Sequence, residues 1–255
     1  MAAFPLMLPG TSRPPKLVVF DLDHTLIACD ATILWTEFLY EKKIVTDPIW
    51  RQYDRDMVKS YAKGVLDIRD FCRKHAGAFR CIPEEKLHAL AQEFAKKKIA
   101  PLIFPDGKKW AKNALQANIP ACVLSASAAF IVKPIAKLFG LTDAMGIELA
   151  FKDGFCTGEI VGIPTFQEGK VERLSQRLAE AGIGFEDVLF FTDSRNDLPL
   201  AERAGYTVCV NPDAVLESVA RKNGWKVAEW KLSLRTQMTA QVDAKGVPET
   251  QTVRS

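Results

Sequence analysis

The spacing of apolar residues changes twice along the chain. Over residues 16–20 they run almost unbroken ("KLVVF"), β-branched in the middle and bounded by Pro14–Pro15 before and Asp21 after. That is the pattern of a short strand buried on both faces. From about Leu34 to Ile103 they recur three and four residues apart, in "TILWTEFLYEKKIV", "PIWRQYDRDMVKSYAKGVL", "DIRDFCRKHAGAF" and "PEEKLHALAQEFAKKKIAPLI". Asp or Pro stands near the helix starts, so the spacing predicts a helical block without strands. After Asp106 the two patterns alternate. A helix is expected over 107–117, a strand over 120–127, a helix over "FIVKPIAKLFG", and a hairpin in "IELAFKDGFCTGEIVG" turning at Asp153–Gly154. A helix over 170–181, a strand over 187–194, a helix over 197–204 and the strand "YTVCVNP" follow.

Strands alternating with helices imply a parallel sheet covered on both faces. The expected fold is therefore α/β, a Rossmann-like doubly wound core interrupted after its first strand by an all-helical cap. The core is assigned to residues 1–33 and 104–230 and the cap to 34–103. The polar, aperiodic residues 231–255 predict a disordered tail, and the first fifteen residues a loose arm.

Composition narrows the class. The chain has 255 residues, 48% hydrophobic and 25% charged, which is ordinary for a soluble globular protein and ample for a real core. A net charge of +3, spread throughout, lacks the concentrated basic face of a nucleic-acid binder. The N-terminal apolar patch has neither a charged leader nor a membrane-spanning length, so no membrane association is expected. Six scattered cysteines, without CxxC or histidine partners at metal-ligand spacing, read as free thiols in a reducing cytoplasm.

The candidate chemistry gathers where strands end. In a doubly wound sheet the working crevice lies beyond the carboxyl ends of the strands. Asp21 with Asp23, Ser125, and Asp193 with Asp197 all follow apolar strands, while Lys170 opens a helix. Several carboxylates sharing one crevice raise one another's pKa and call for a cation. A hard divalent ion with oxygen ligands answers that, and Mg²⁺ is the natural candidate. Asp21 is then placed to attack a phosphorus centre and Asp23 to move protons at the departing and entering oxygens. Ser125 and Lys170 supply a hydroxyl and an ammonium for phosphoryl oxygens.

The segments "DLDHTL", "LSAS", "GK" and "DSRND" resemble the four motifs of the haloacid dehalogenase (HAD) superfamily of phosphohydrolases. A helical insert directly after the first motif is similar to the subfamily IB arrangement found in phosphoserine phosphatase-like enzymes. "GIPTFQEGKVERL", "FFTDSRNDLPL" and "NPDAVLESVARKNGW" extend the likeness over roughly residues 16–230, toward bacterial hydrolases described as phosphoserine- or histidinol-phosphatase-like. The resemblance implies Asp21 as nucleophile and Asp23 as general acid/base. It implies a Mg²⁺ site at Asp21, Asp193 and the backbone carbonyl of Asp23, with Thr25, Ser125 and Lys170 on phosphate and Asn196 and Asp197 in support.

The chain departs from the family in two places. Thr192 stands where many relatives have glycine. Asp30 occupies the offset at which phosphoserine phosphatases carry a substrate-reading glutamate, and it is the candidate for substrate specificity. His24 is expected to be a spacer. The resulting reading is a phosphomonoesterase for a small soluble metabolite, possibly an amino-bearing phosphate; its oligomeric state is left open. The alternatives are a phosphotransferase using an alcohol acceptor and a weakly catalytic phospho-ligand sensor. In the cap, Trp35, Trp50, Tyr53, Tyr61 and Arg69 are candidates to line a pocket, and Arg69 and Lys63 to tune its specificity.

Overall fold

A computed structural model of the chain describes residues 13–233. The predicted N-terminal arm and nearly all of the predicted tail lie outside that range. The first strand, β1 (Leu17–Phe20), is buried at all four positions. It pairs in parallel with β2 (Ala121–Ala128) on one side and β6 (Val188–Thr192) on the other. Outward from these lie β3 (Asp143–Ile147), β7 (Tyr206–Val210) and β8 (Lys226–Ala228), giving a six-stranded parallel sheet of order β3-β2-β1-β6-β7-β8.

Alternate residues of β1 feed opposite layers, as the two-residue strand period requires. Val18 and Phe20 join a cluster containing Ala111 and Ala114 of α5 (Pro105–Gln116) and Ile131 and Ile135 of α6 (Ala129–Ala136). Leu17 and Val19 face α7 (Glu168–Ala181) and α8 (Leu198–Ala201) through Val171, Leu174 and Leu200. The last helix, α9 (Ala214–Asn223), begins at Asp213, whose side chain accepts from the N–H groups of Val215 and Leu216. The chain runs from β1 toward β3 in one direction and from β6 toward β8 in the other, so the switch point lies between β1 and β6.

Between β1 and α5 the chain forms α1 (Ala31–Glu41), α2 (Ile49–Lys63), α3 (Ile68–His75) and α4 (Glu84–Phe94). The entry and exit of this insert run side by side: Ala28 donates to Leu102 and Phe104 to Leu26 through their backbones, at 2.8 and 3.0 Å. Trp35 of α1 lies 5.4 Å from Phe94 of α4 and 5.6 Å from Phe130 of α6, ring centre to ring centre. These aromatics place α1 and α4 in the same hydrophobic cluster as the sheet. By contrast α2 buries only Asp54 and Met57.

The hairpin of β4 (Leu149–Lys152) and β5 (Phe155–Ile160) turns at Asp153–Gly154, both with positive φ (52° and 79°), as a two-residue type I′ turn demands. It forms its own two-stranded sheet and packs on α3, where a Cβ on Gly158 would sit 2.7 Å from that of Ala76. No described helix is long and apolar enough to cross a membrane.

Three predicted boundaries change. β2 runs to Ala128, one residue past the strand expected over 120–127, through a shift in its register with β3, and Ser125 lies within it. The helix predicted over 197–204 shortens to a 3₁₀ turn (Arg195–Asp197) followed by α8, since Pro199 suits only the start of a helix. Residues 143–146, left without an element by the pattern, join Ile147, expected in the hairpin, to form β3.

Candidate active site

Asp21 leaves β1 at the switch point and Asp193 leaves β6 beside it. The chain after Asp21 folds tightly, with Thr25, Leu26 and Ile27 all donating backbone N–H groups to the carbonyl of Leu22. His24 adopts φ 56° to allow this turn. The turn brings the Thr25 hydroxyl to Asp193, 3.3 Å away.

Lys170 rises from the first turn of α7 into the protein interior, where it is 1% exposed. Its Nζ donates to Asp21 Oδ1 at 2.7 Å and to Asp197 Oδ2 at 2.8 Å. Burial works against its charge, but the Asp197 and Asp21 carboxylates outweigh it and hold its pKa up. Gly169 makes this approach possible, because a Cβ there would lie 1.9 Å from the carbonyl oxygen of Pro164. Thr192 donates its hydroxyl to Asp197 at 2.7 Å, so the β-branched departure noted in the sequence orients the carboxylate that holds Lys170.

Asp23 has different surroundings. Its Oδ1 accepts from the N–H of Ala31 at 2.6 Å, at the start of α1. Its Oδ2 accepts from Ser127 at 2.8 Å and Ser125 at 3.2 Å. Burial, then the charge of Asp30, pushes its pKa up to about 6, against the pull of the Ala31 and Ser127 bonds. Ser127 in turn shares a hydrogen bond with Thr32 of α1 at 3.1 Å. Neither Ser127 nor Thr32 stood out in the sequence. The signal available for Ser127 was two-residue strand spacing, which puts it on the same face of β2 as Ser125.

These groups border a chamber of about 210 Å³, lined from the core by Asp21, Asp23, Asp30, Asp193, His24 and Ser127. Its other walls come from the insert, chiefly Met57, Val58, Tyr61, Leu66, Ile68 and Phe71. Of the five cap candidates only Tyr61 lines it. Trp35 is core, Trp50 and Tyr53 pack on each other at 5.5 Å, and Arg69 and Lys63 are exposed on the surface away from it. Helical spacing marked these as one-face residues, but in α2 and α3 the chamber face is apolar. Thr25, Ser125 and Lys170 do not border the chamber; each is buried and bonded to an aspartate that does. Asp30 borders it while capping α1, accepting from the Ile33 N–H at 3.0 Å.

Asn196 and Asp197 are buried. Asn196 donates to the carbonyl of Tyr61 at 3.1 Å and accepts from Gln167 at 3.2 Å.

Among the described residues no three His, Cys, Asp or Glu side chains form a ready-made metal group, and both oxygens of the Asp23 side chain are already engaged. What remains is Asp21 and Asp193. Burial and then Asp21 push the Asp193 pKa well up, while burial and the Asp23 charge outweigh Lys170 at Asp21. Two adjacent hard carboxylates short of positive charge fit Mg²⁺, which is commonly held by one or two carboxylates and keeps several waters.

A parallel doubly wound sheet with paired aspartates at its switch point and a helical insert over them defines a hydrolase class. Residues 18–202 match the haloacid dehalogenase-like hydrolases, and the chain belongs to that family. It is a phosphatase of the family. A histidinol-phosphatase from Neisseria meningitidis is 35% identical over 220 residues, 85% of this chain and 99% of that protein. A phosphoserine phosphatase from Mycobacterium tuberculosis is 26% identical over 90% of this chain and 77% of its own length. The solved structure of a protein of unknown function from Bordetella pertussis superposes with a TM-score of 0.75 at 32% identity, over 83% of this chain and 96% of that one.

Proposed function

We propose that the protein is a Mg²⁺-dependent phosphomonoesterase that works in the cytoplasm through a phosphorylated Asp21, on a small amino-bearing ester such as phosphoserine or histidinol phosphate. The observation that carries this reading is the contrast between two carboxylates two residues apart. Asp21 is held by an ammonium, and Asp23 by hydroxyls and one backbone N–H.

With Lys170 fixing Oδ1, Asp21 attacks phosphorus through Oδ2, and the bond from phosphorus to the alcohol oxygen breaks. Asp23 gives its proton to that departing oxygen. It then takes a proton from the water that attacks the phosphorylated Asp21, releasing phosphate and restoring both carboxyls. A pKa of about 6 suits both duties near neutral pH. Bound at Asp21 and Asp193, Mg²⁺ supplies positive charge for the phosphoryl oxygens. Lys170 sets the angle of Asp21, and Ser125 and Ser127 set that of Asp23.

The test is hydrolysis of p-nitrophenyl phosphate with Mg²⁺ and with EDTA, using the wild type and Asp21→Asn. The expected result is turnover lost to EDTA and lowered more than about 100-fold by the substitution, a barrier increase above ~2.7 kcal/mol. In Asp23→Asn, mass spectrometry should find phosphate on Asp21. Turnover by Asp21→Asn near the wild-type rate would overturn the nucleophile assignment.

A further inference from the structure

Resting on that reading, we propose that the chamber selects phosphate esters whose alcohol part carries an ammonium and an aromatic group and bears no carboxylate. The first support is charge. The titratable groups bordering the chamber are four aspartates, the Tyr61 phenol and His24, which lies exposed at its edge; among the described residues no lysine or arginine lines it. The buried Lys170 is already shared between Asp21 and Asp197. Arg195, in the same turn as Asp197, lies against Gly64 at the end of α2, where a Cβ would come within 3.7 Å of its guanidinium. With Mg²⁺ at Asp21 and Asp193 taken up by the phosphoryl oxygens, a carboxylate on the alcohol part meets the charge of Asp30 and finds no lysine or arginine among the lining residues, whereas an ammonium gains Asp30.

The second support is the wall. Met57, Val58, Leu66, Ile68 and Phe71 make the insert's side of the chamber mostly apolar, with the Tyr61 ring among them. An ester without an apolar substituent leaves this surface wet. An aryl group covers it and gains Phe71 as an aromatic neighbour, with the pliable thioether of Met57 beside it. A second cavity continues past Thr32, Phe71 and Ala126, but at about 20 Å³ it has room for roughly one water. The aryl group therefore belongs in the main chamber.

A matched set of 2-aminoethyl phosphates isolates the two supports. Phosphoethanolamine carries hydrogen at C2, phosphoserine a carboxylate, histidinol phosphate an imidazolylmethyl group and phenylalaninol phosphate a benzyl group. The expected order in kcat/KM places both aryl esters about tenfold or more above phosphoethanolamine, and phosphoserine about tenfold or more below it. Val58→Arg, at a wall position 43% exposed and so tolerant of change, should raise phosphoserine relative to phosphoethanolamine by about tenfold.

Phosphoserine matching or exceeding phosphoethanolamine with the wild type, or an unchanged ratio in Val58→Arg, would overturn the proposal. Hydrolysis of p-nitrophenyl phosphate separates the two failures. If that ester is cleaved and phosphoserine is preferred, the selectivity falls and the phosphatase reading stands. If no ester is cleaved, the phosphatase reading falls, and calorimetric binding of the same four esters with Mg²⁺ still decides the selectivity by the same order.

Discussion

The side-chain amide of Asn196, one residue before the aspartate that holds Lys170, donates to the backbone carbonyl of Tyr61 across 3.1 Å. Gln167 does the same to the carbonyl of Gly64 at 3.3 Å. Helix α2 ends there, at a left-handed Gly64, so two core amides supply donors to its last carbonyls. The segment that walls the chamber is thus tied to the loops that hold the site.

Gln167→Ala removes the tie to Gly64, and with it the 3.2 Å bond to Asn196, without changing backbone strain, since Gln167 already sits at φ 48° and alanine is no easier there. A hydrogen bond of about 1 kcal/mol corresponds to roughly fivefold, so KM should rise about that much while kcat changes little. Hydrogen exchange at the C-terminal turn of α2 should quicken. Unchanged exchange would show that Gln167 does not hold the helix.

Ser127→Ala tests the support of Asp23. It deletes the 2.8 Å bond to Oδ2 and the 3.1 Å bond shared with Thr32, and leaves the Ala31 and Ser125 donors to Asp23 in place. Hydrogen bonds to charged groups are worth about 1.5–3 kcal/mol, so kcat should fall roughly 10- to 100-fold with Tm nearly unchanged. An unaltered kcat would mean the other two donors suffice.

The outline of this site was legible because chemistry and fold punctuate the sequence at the same places. Asp21 ends an uninterrupted apolar run, Asp193 follows another after Thr192, and Asp153–Gly154 is a hairpin turn by composition alone. What went unread has no local signature. The edge strand β8 has three residues, none of them buried, and β3 reads "DAMGI", where a Cβ on Gly146 would lie 2.8 Å from the Ser127 carbonyl oxygen. The apolar inner face of α2 and α3 shows only after folding decides which stripe faces the aspartates, which is why Arg69 and Lys63 were misplaced. Helix α9 could have been found, since Asp213 and Gly224 mark its two ends.

A buried polar cluster in the insert should make stability depend on pH. Asp54 is 4% exposed, and neither of its side-chain oxygens has a hydrogen-bond partner among the described residues. His75 Nε2 lies 3.6 Å away and is 3.0 Å from the Thr36 hydroxyl. Burial, then the charges of Asp30 and Glu37, pushes the Asp54 carboxyl up to about 7. The folded protein therefore keeps a proton that the unfolded chain releases near 3.8. Stability is whole below about pH 4 and is lost as pH rises toward 7. Burial pulls His75 down to about 4, so its contribution is whole above about pH 6.5 and is lost as pH falls through 4. Asp54→Asn removes only the first effect. By chemical denaturation it should match wild type at or below about pH 4 and exceed it at pH 8 by on the order of 1–3 kcal/mol, the cost of a buried unsatisfied group. Equal stabilities at pH 8 would mean that Asp54 finds a compensating partner.

Asp30 combines two roles that substitution can separate. Its Oδ1 caps α1 through the Ile33 N–H, and its charge borders the chamber beside Asp23. Asparagine caps a helix about as well as aspartate, so Asp30→Asn should leave Tm within a degree or two of wild type. Alanine loses the cap as well, at a cost of about 1 kcal/mol, and should lower Tm by several degrees. Both lose the charge. For an ester with an ammonium group, kcat/KM should fall by about tenfold in each, the value of one charge-assisted hydrogen bond. Neutral polyol phosphates should lose little in Asp30→Asn. If that variant loses activity equally toward charged and neutral esters while keeping its Tm, then Asp30 acts through Asp23 rather than on the substrate. The ammonium would then have to be read by another group on the chamber wall.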